Sequence, residues 1–382
     1  MLQLGDLTGL TFCFLAVIAM GFTLAAALAV APGPVSITRE RRRSRAPVTL
    51  LKPLHLAEPG LEENLRTFLR QDYEGPVQIV FGAKSYYDPA LRIVAKLQRA
   101  YPAADIKVVT DPRYGGSNPK VTNLINMVAH AKHEMLVVSD SDIRVRPDYL
   151  RQIVADLEEP EVGAVTCLYS GMPLGNIWAK LAAMAIDYHF LPNARLGIAL
   201  RLTEPCFGST IALRRSVLDE VGGFESLSNV LADDYELGRA IRERGYRLSI
   251  PDTLTVEHVC SQKSALALFR QELRWAKTNL LLAKSGYAGT FLTYPLPLAL
   301  IAMLFLGFSG LTLAVAAGAL MSRLYLVFQS GRALGLRGRH IWLLPFRDVL
   351  SFGVFVASFF GSTVVWKENK YIACPDGALA QL

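Results

Sequence analysis

No asparagine in this 382-residue chain heads an Asn-x-Ser/Thr acceptor, which argues against a main domain facing a glycosylating lumen. Cysteine is scarce as well. Among Cys13, Cys167, Cys206, Cys260 and Cys374 no two fall at metal-ligand spacing. That excludes a cysteine metal site and a disulfide scaffold, and suits a reducing compartment. Internal repeats and low-complexity segments are absent. Charge is the third scarcity: 19% of residues are charged against 52% hydrophobic, and none at all occurs in residues 7–37, 285–322 or 349–366.

The first charge-free run covers the ~20 apolar residues that span a bilayer. It exceeds the roughly 7–15 residues of a signal-peptide core, and its basic flank follows the apolar part, so it reads as a signal anchor. That flank, Arg39-Glu-Arg-Arg-Arg-Ser-Arg45, supplies +4 of the net charge of +7. Beside an apolar segment such a run is a topology signal, and no nucleic-acid recognition motif accompanies it, so nucleic acid is not an expected partner. It keeps the arginines in the cytoplasm and the N-terminus outside. If the basic loop 323–347, with Arg332, Arg337 and Arg339, is also cytoplasmic, an even number of crossings lies between 285 and 331. A hairpin turning near 307–310 satisfies this, as do re-entrant or interfacial helices. The expected organisation is an anchor and basic flank (1–45), a cytoplasmic domain (46–284) and a membrane region of two or three segments (285–382). The Ala/Arg/Leu-rich composition suggests a multi-pass protein of a bacterial inner membrane.

Between the apolar ends, short β-rich runs at 48–51, 77–81, 106–109 and 135–138 alternate with helical patterns at 61–70, 89–100 and 120–130. The alternation predicts an α/β, Rossmann-like domain with a mostly parallel sheet. Ligands of such sheets bind beyond the carboxyl ends of the strands, and the polar motifs stand there: Tyr87-Asp88 after the second run, Gly115-Gly-Ser-Asn-Pro-Lys120 after the third, and Ser139-Asp-Ser-Asp142 after the fourth.

The fourth run ends in two carboxylates one residue apart. Residues two apart in a strand point to the same side, so Asp140 and Asp142 can converge. Carboxylates on a rigid strand end hold a hard divalent cation, which can neutralise a diphosphate leaving group. A polar turn or helix cap is the alternative for the same pair. Further on, Asp233-Asp234 precedes a helical pattern at 235–244: N-terminal helix acids, or in Asp234 a general base for a hydroxyl nucleophile. Gln271-Glu-Leu-Arg-Trp275 lies on a helical stretch from about residue 264, with Gln271 and Arg274 sharing a face. Arginine can grip a diphosphate and tryptophan can wall a site; equally, this could be an amphipathic helix at a membrane surface.

The order Asp88, Asp140, Asp234, Gln271-x-x-Arg274-Trp275 resembles the D, D, D, (Q/R)xxRW signature of inverting glycosyltransferases with a GT-A fold. More narrowly, the chain resembles the ceramide glucosyltransferase family and its bacterial relatives, the hopanoid-biosynthesis glycosyltransferases included. Leu50-Leu-Lys-Pro-Leu-His55, Gly116-Ser-Asn-Pro-Lys-Val-Thr-Asn-Leu124, Val221-Gly-Gly-Phe224 and Ala232-Asp-Asp-Tyr235 carry the likeness over about residues 48–285.

The resemblance implies a UDP-sugar donor, Mg2+ or Mn2+, and a membrane lipid acceptor, ceramide or a hopanoid polyol. Asp88 would help hold the uridine, and Asp140 with Asp142 the cation, although some members of the ceramide branch carry Gly at the position of Asp142. Asp234 would be the base, Gln271, Arg274 and Trp275 the acceptor- and diphosphate-side motif, and Lys120 and Asn123 part of the segment beside the nucleotide. His258 is a further ligand or a structural histidine; Cys206 borders the acceptor pocket or is a small buried hydrophobe. A processive polysaccharide synthase shares the signature but usually carries more membrane helices, and a non-catalytic scaffold would not need the full acidic set.

Overall fold

In a computed structural model, the residues described are 4–31, 44–113, 116–336 and 340–361, with backbone alone for 363–366, 369–373 and 379–381. Arg39–Arg43, Gly115, Arg337, Arg339 and Cys374, which figure in the sequence reading, lie outside them. The chain divides into two compact units built from interleaved segments: 1–37, 175–203 and 262–368 in one, and 38–174, 204–261 and 369–382 in the other.

The second unit is the α/β one. Ten strands are numbered in chain order: β1 (Val48–Pro53), β2 (Val77–Ala83), β3 (Asp105–Thr110), β4 (Met135–Ser139), β5 (Ile143–Arg144), β6 (Val162–Thr166), β7 (Leu168–Pro173), β8 (Thr210–Arg214), β9 (Arg247–Ser249) and β10 (Thr255–Cys260). Seven form one sheet in the order β3-β2-β1-β4-β8-β6-β9. All its pairings are parallel except those of β8, which runs against both β4 and β6. β5, β10 and β7 make a smaller sheet, with β10 antiparallel to β5 and parallel to β7. The mostly parallel sheet expected from the alternating runs is present; the reversed β8 and the small sheet carried no signal in the alternation.

Because the central strands are covered on both faces, they read as continuous apolar runs. Successive side chains nevertheless part company. Leu50, Phe81 and Val137 enter one core layer with Leu61, Leu65 and Phe68 of the Leu61–Leu69 helix. Leu51, Val80, Leu136 and Val138 enter the other with Val121, Leu124 and Met127 of the Pro119–Val128 helix. The carboxyl ends of β1 to β4 therefore share one edge, fixed by two independent layers.

The first unit is helical. Leu4–Val30, Pro295–Leu306 and Gly310–Leu334 meet through small residues, Ala16, Ala19, Ala299, Ala302 and Ala319, all fully buried. Small side chains allow close helix approach where lipid removes the ordinary hydrophobic drive. Among the described residues, three helices are long and apolar enough to cross a membrane: Gly5–Val30, Gly310–Leu334 and Ile341–Ser358. A fourth span is possible in length if Lys284–Thr293 and Pro295–Leu306, bent by 70°, count as one. Between Leu306 and Gly310 the chain turns at Gly307 (φ 64°), and Ser309 caps the next helix.

Phe81, fully buried in the first layer, offers a test of this core. Phe81→Ala is expected to cost about 3–5 kcal/mol, read as a fall in the midpoint of thermal unfolding of the detergent-solubilised protein.

Candidate active site

The carboxylates expected from the sequence gather where β4 ends. Asp140 and Asp142 follow Ser139, their side chains about one-third exposed (36% and 34%). Lys120, at the start of the Pro119–Val128 helix, places Nζ 2.8 Å from Asp140 Oδ1 and 3.7 Å from Asp233 Oδ2. One ammonium thus bridges the strand-end acid and the acidic pair that opens the Asp233–Glu243 helix. Burial opposes the charge on Lys120, but Asp140 and Asp233 together outweigh it and raise its proton affinity.

Local backbone chemistry makes this meeting possible. Asn118 caps the Pro119–Val128 helix, its side chain accepting from the N–H groups of Lys120 and Val121. Its amide then donates to Val230 O (2.8 Å) and Asp233 Oδ1 (3.2 Å). Ser117 N donates to Asn229 Oδ1 and Asn118 N to Ser228 O. The two loops lie so close that a Cβ on Gly116 would stand 2.4 Å from the Ser228 carbonyl oxygen. Only glycine fits there, which explains one glycine of the Gly-Ser-Asn-Pro-Lys run.

Asp234 turns into the sheet edge. Its Oδ2 accepts from Gly208 N and its Oδ1 from Tyr235 N, both at 2.8 Å. Burial first, and then the neighbouring Asp233, push its pKa up to about 6. The Gly208 donor is held in place because Thr166 Oγ1 accepts from Phe207 N and donates to Phe207 O. Cys206 is buried, and burial keeps its thiol protonated. Tyr169, whose hydroxyl is raised first by burial and then by Asp234, Asp142 and Asp140, lies within electrostatic reach of all three acids. Its ring centroid is 5.8 Å from that of His258. His258 Nδ1 approaches Asp142 Oδ2 at 3.7 Å, whereas Asp142 Oδ1 is buried with no hydrogen-bond partner.

Three residues that sequence reasoning missed hold the acidic loop from below. Lys52 of β1, fully buried, donates to Asp140 O (2.5 Å) and Ser139 Oγ (3.3 Å), with its ammonium 3.8 Å from the Phe68 ring centroid. Burial lowers its pKa to about 7 against the opposing pull of Asp140 and Asp142. Glu58 accepts from Ser141 Oγ at 2.7 Å, and Asn64 donates to Ser141 O at 3.1 Å. A lysine inside an otherwise apolar strand was the one available signal. Asp88 serves the same segment: its Oδ2 accepts from Leu56 N and its Oδ1 from Ala90 N. Leu56 adopts a left-handed conformation (φ 61°), unfavourable for a branched side chain. Asn123 is buried and donates to Gly82 O at 2.9 Å, bracing the end of β2. Gln271, Arg274 and Trp275 belong to the Ala265–Leu282 helix of the helical unit, where Gln271 Oε1 accepts from Gln262.

Comparison with known proteins shows the family. The family model described as glycosyl transferase family 21 matches residues 11–379. The chain belongs to that family. It is 24% identical over 359 residues to ceramide glucosyltransferase 1 of Caenorhabditis elegans, an alignment covering 85% of this chain and 71% of the worm protein. It spans half or less of several other ceramide glucosyltransferases that it matches. An N-acetylglucosaminyltransferase of Rhizobium meliloti is 25% identical over 265 residues, 65% of this chain and 58% of that one. Among solved structures, a mannosyltransferase of Pyrobaculum calidifontis in complex with GDP-Man and Mn2+ superposes with a TM-score of 0.52 at 20% identity, covering 94% of this chain and 99% of that one. The family 21 protein is thus a glycosyltransferase of the GT-A type carrying membrane-length helices.

No group of three His, Cys, Asp or Glu side chains among the described residues is arranged to hold a cation unaided. The hard oxygens of Asp140 and Asp142, one of them buried without a partner, nevertheless suit a divalent ion completed by phosphate and water. The electrostatics of Asp234 give a direct test. Asp233→Asn removes the second cause of its raised pKa while leaving burial in place. Its carboxyl titration, followed by isotope-edited infrared spectroscopy, is expected to shift below about 6 yet stay above the ordinary aspartate value.

Proposed function

We propose that this family 21 glycosyltransferase moves one sugar from a UDP-sugar onto the hydroxyl of a membrane lipid, with inversion at the anomeric carbon; relatives named ceramide glucosyltransferase support the lipid acceptor. The observation that carries the reading is the pairing at one sheet edge of two acids in different states: Asp140, ion-paired and partly open, and Asp234, half-buried with a pKa pushed up to about 6. A carboxylate of that affinity is ionised at neutral pH yet a stronger base than a free aspartate, which suits proton removal from a lipid hydroxyl.

Asp140 and Asp142 would hold Mg2+ or Mn2+, supplying positive charge against the departing diphosphate. Lys120 stands beside Asp140 to add its own charge there. Asp234 takes the hydroxyl proton while Gly208 N and Tyr235 N keep its oxygens aimed. A single displacement on the opposite face converts an α-linked donor into a β-glycoside. Asp88, through Leu56 and Ala90, orders the loops expected to receive the uridine. Gln271, Arg274 and Trp275 are assigned to the acceptor and diphosphate side by their match to the family motif.

Residues 46–284 are assigned to catalysis on the cytoplasmic face of a bacterial inner membrane, with 1–45 and 285–382 as the flanking membrane parts; the arginine run at 39–45 supports that orientation. The likeness to an N-acetylglucosaminyltransferase supports N-acetylglucosamine as a second donor sugar; a hopanoid polyol is the alternative acceptor on the sequence resemblance alone.

Purified protein incubated with UDP-glucose, UDP-glucuronate or UDP-N-acetylglucosamine, against ceramide and a hopanoid polyol, is expected to give one β-linked sugar per lipid, greatest with UDP-glucose and ceramide. A ladder of products would point instead to a polymerase. Asp234→Asn is expected to lower transfer by about 100- to 10,000-fold, and Asp140→Asn to lower transfer and raise the divalent-ion concentration it requires. Because Asp234 must be ionised, kcat/KM should climb with pH through about 6 and level off above it. Normal transfer by both variants would end the proposal.

A further inference from the structure

Among the described residues, two ion pairs lie buried in the helical unit, where isolated charge is most expensive. Arg347 and Asp348 are neighbours in the first turns of the Leu344–Ser358 helix. Arg347 donates through Nη1 and Nη2 to Glu272 Oε1 and Oε2 at 2.8 and 2.6 Å, with its side chain 2% and that of Glu272 10% exposed. Asp348 accepts from Arg323 Nε and Nη2, both at 2.8 Å. The remaining donors are also used: Arg347 Nε reaches Ser351 Oγ, and Arg323 Nη1 reaches Tyr188 O at 2.8 Å.

Glu272 stands inside the Gln271-x-x-Arg274-Trp275 run. Successive residues of a helix are about 100° apart, so Glu272 lies to one side of the face that carries Gln271, Arg274 and Trp275. Leu268 and Ala276, buried on the same helix, flank it one turn before and after. We infer that Arg347 is a positioning residue: its two-pronged bond to Glu272 sets the rotation of the Ala265–Leu282 helix about its own axis, and the Asp348–Arg323 pair one residue on fixes Arg347 in turn. Apolar packing alone permits a helix to roll, whereas a bidentate guanidinium–carboxylate pair has one geometry. At a side-chain radius of roughly 5–6 Å, a 20° roll moves a tip by about 2 Å, and about 1 Å of misplacement can cost 100-fold in rate. The inference rests on the reading that Gln271, Arg274 and Trp275 meet the acceptor and diphosphate.

The test compares two full-length double variants with the wild type in nanodiscs. Arg347→Met alone strands a buried carboxylate and would confound folding with positioning, so the informative variant is the apolar pair Glu272→Met/Arg347→Leu, which replaces the charges by similar volume. It is expected to keep the wild-type unfolding midpoint and UDP affinity while transfer to lipid falls about tenfold to a hundredfold. The exchanged pair Glu272→Arg/Arg347→Glu should recover most of that loss. Fluorotryptophan NMR, with the Trp275 signal assigned by Trp275→Phe, reads the roll without reference to activity. The Trp275 resonance should move in the apolar pair and return in the exchanged pair. Normal transfer with an unmoved Trp275 signal in the folded apolar pair would overturn the inference. A moved signal in a protein whose wild type glycosylates no lipid would support the positioning and count against the lipid-acceptor reading alone.

Discussion

Four carboxylates at one edge of a sheet repel one another, and the rest of the catalytic unit is arranged around that repulsion. Like charges about 4 Å apart oppose each other by about 4 kcal/mol at an effective dielectric near 20. Lys120 answers by bridging Asp140 and Asp233, while main-chain N–H groups at Gly208 and Tyr235 receive Asp234. The compensation is incomplete. Asp234 keeps a raised proton affinity, and one oxygen of Asp142 is buried without a partner. Those two residues of unspent electrostatic need are what the site offers to a substrate hydroxyl and to a hard cation.

The acids hold their positions because β1 and the segment after it act as a brace. Lys52 grips the backbone at Asp140, Glu58 and Asn64 grip Ser141, and Leu56 and Asp88 fix one another. Each contact joins residues 30 to 90 positions apart in the chain, so each depends on β1 lying between β2 and β4. The left-handed Leu56 is tolerated because its N–H is claimed by Asp88, an instance of local strain sustained by its surroundings.

In the helical unit the problem is reversed, since charge is rare and each buried ion must find its counterpart. The apolar run at 285–322 resolves into a helix pair bent by 70°, a turn at Gly307 and the beginning of the Gly310–Leu334 helix. Arg323 and Asp348, at the borders of the apolar runs, pair with each other, and Arg347 pairs with Glu272 from the Gln271-x-x-Arg274-Trp275 run. These bonds give specific geometry to helices whose small, apolar contact surfaces would otherwise be permissive.

The alternation of β-rich and helical runs made the parallel part of the sheet legible, because burial on both faces writes itself as continuous apolar strands. The position of Asp88, Asp140 and Asp142 after those strands was legible for the same reason, as was the membrane length of the apolar ends. Periodicity carries no partner information, however, so the reversed β8, the clamp by Lys52 and the Lys120 bridge emerged only from the packed chain. Asn123 shows the limit from the other side: a polar side chain in a segment expected beside the nucleotide, it is buried and braces the end of β2. Residue type and spacing determined which chemistry was available; long-range pairing decided which groups face each other, because a hydrogen bond or ion pair depends on distances that no local pattern records.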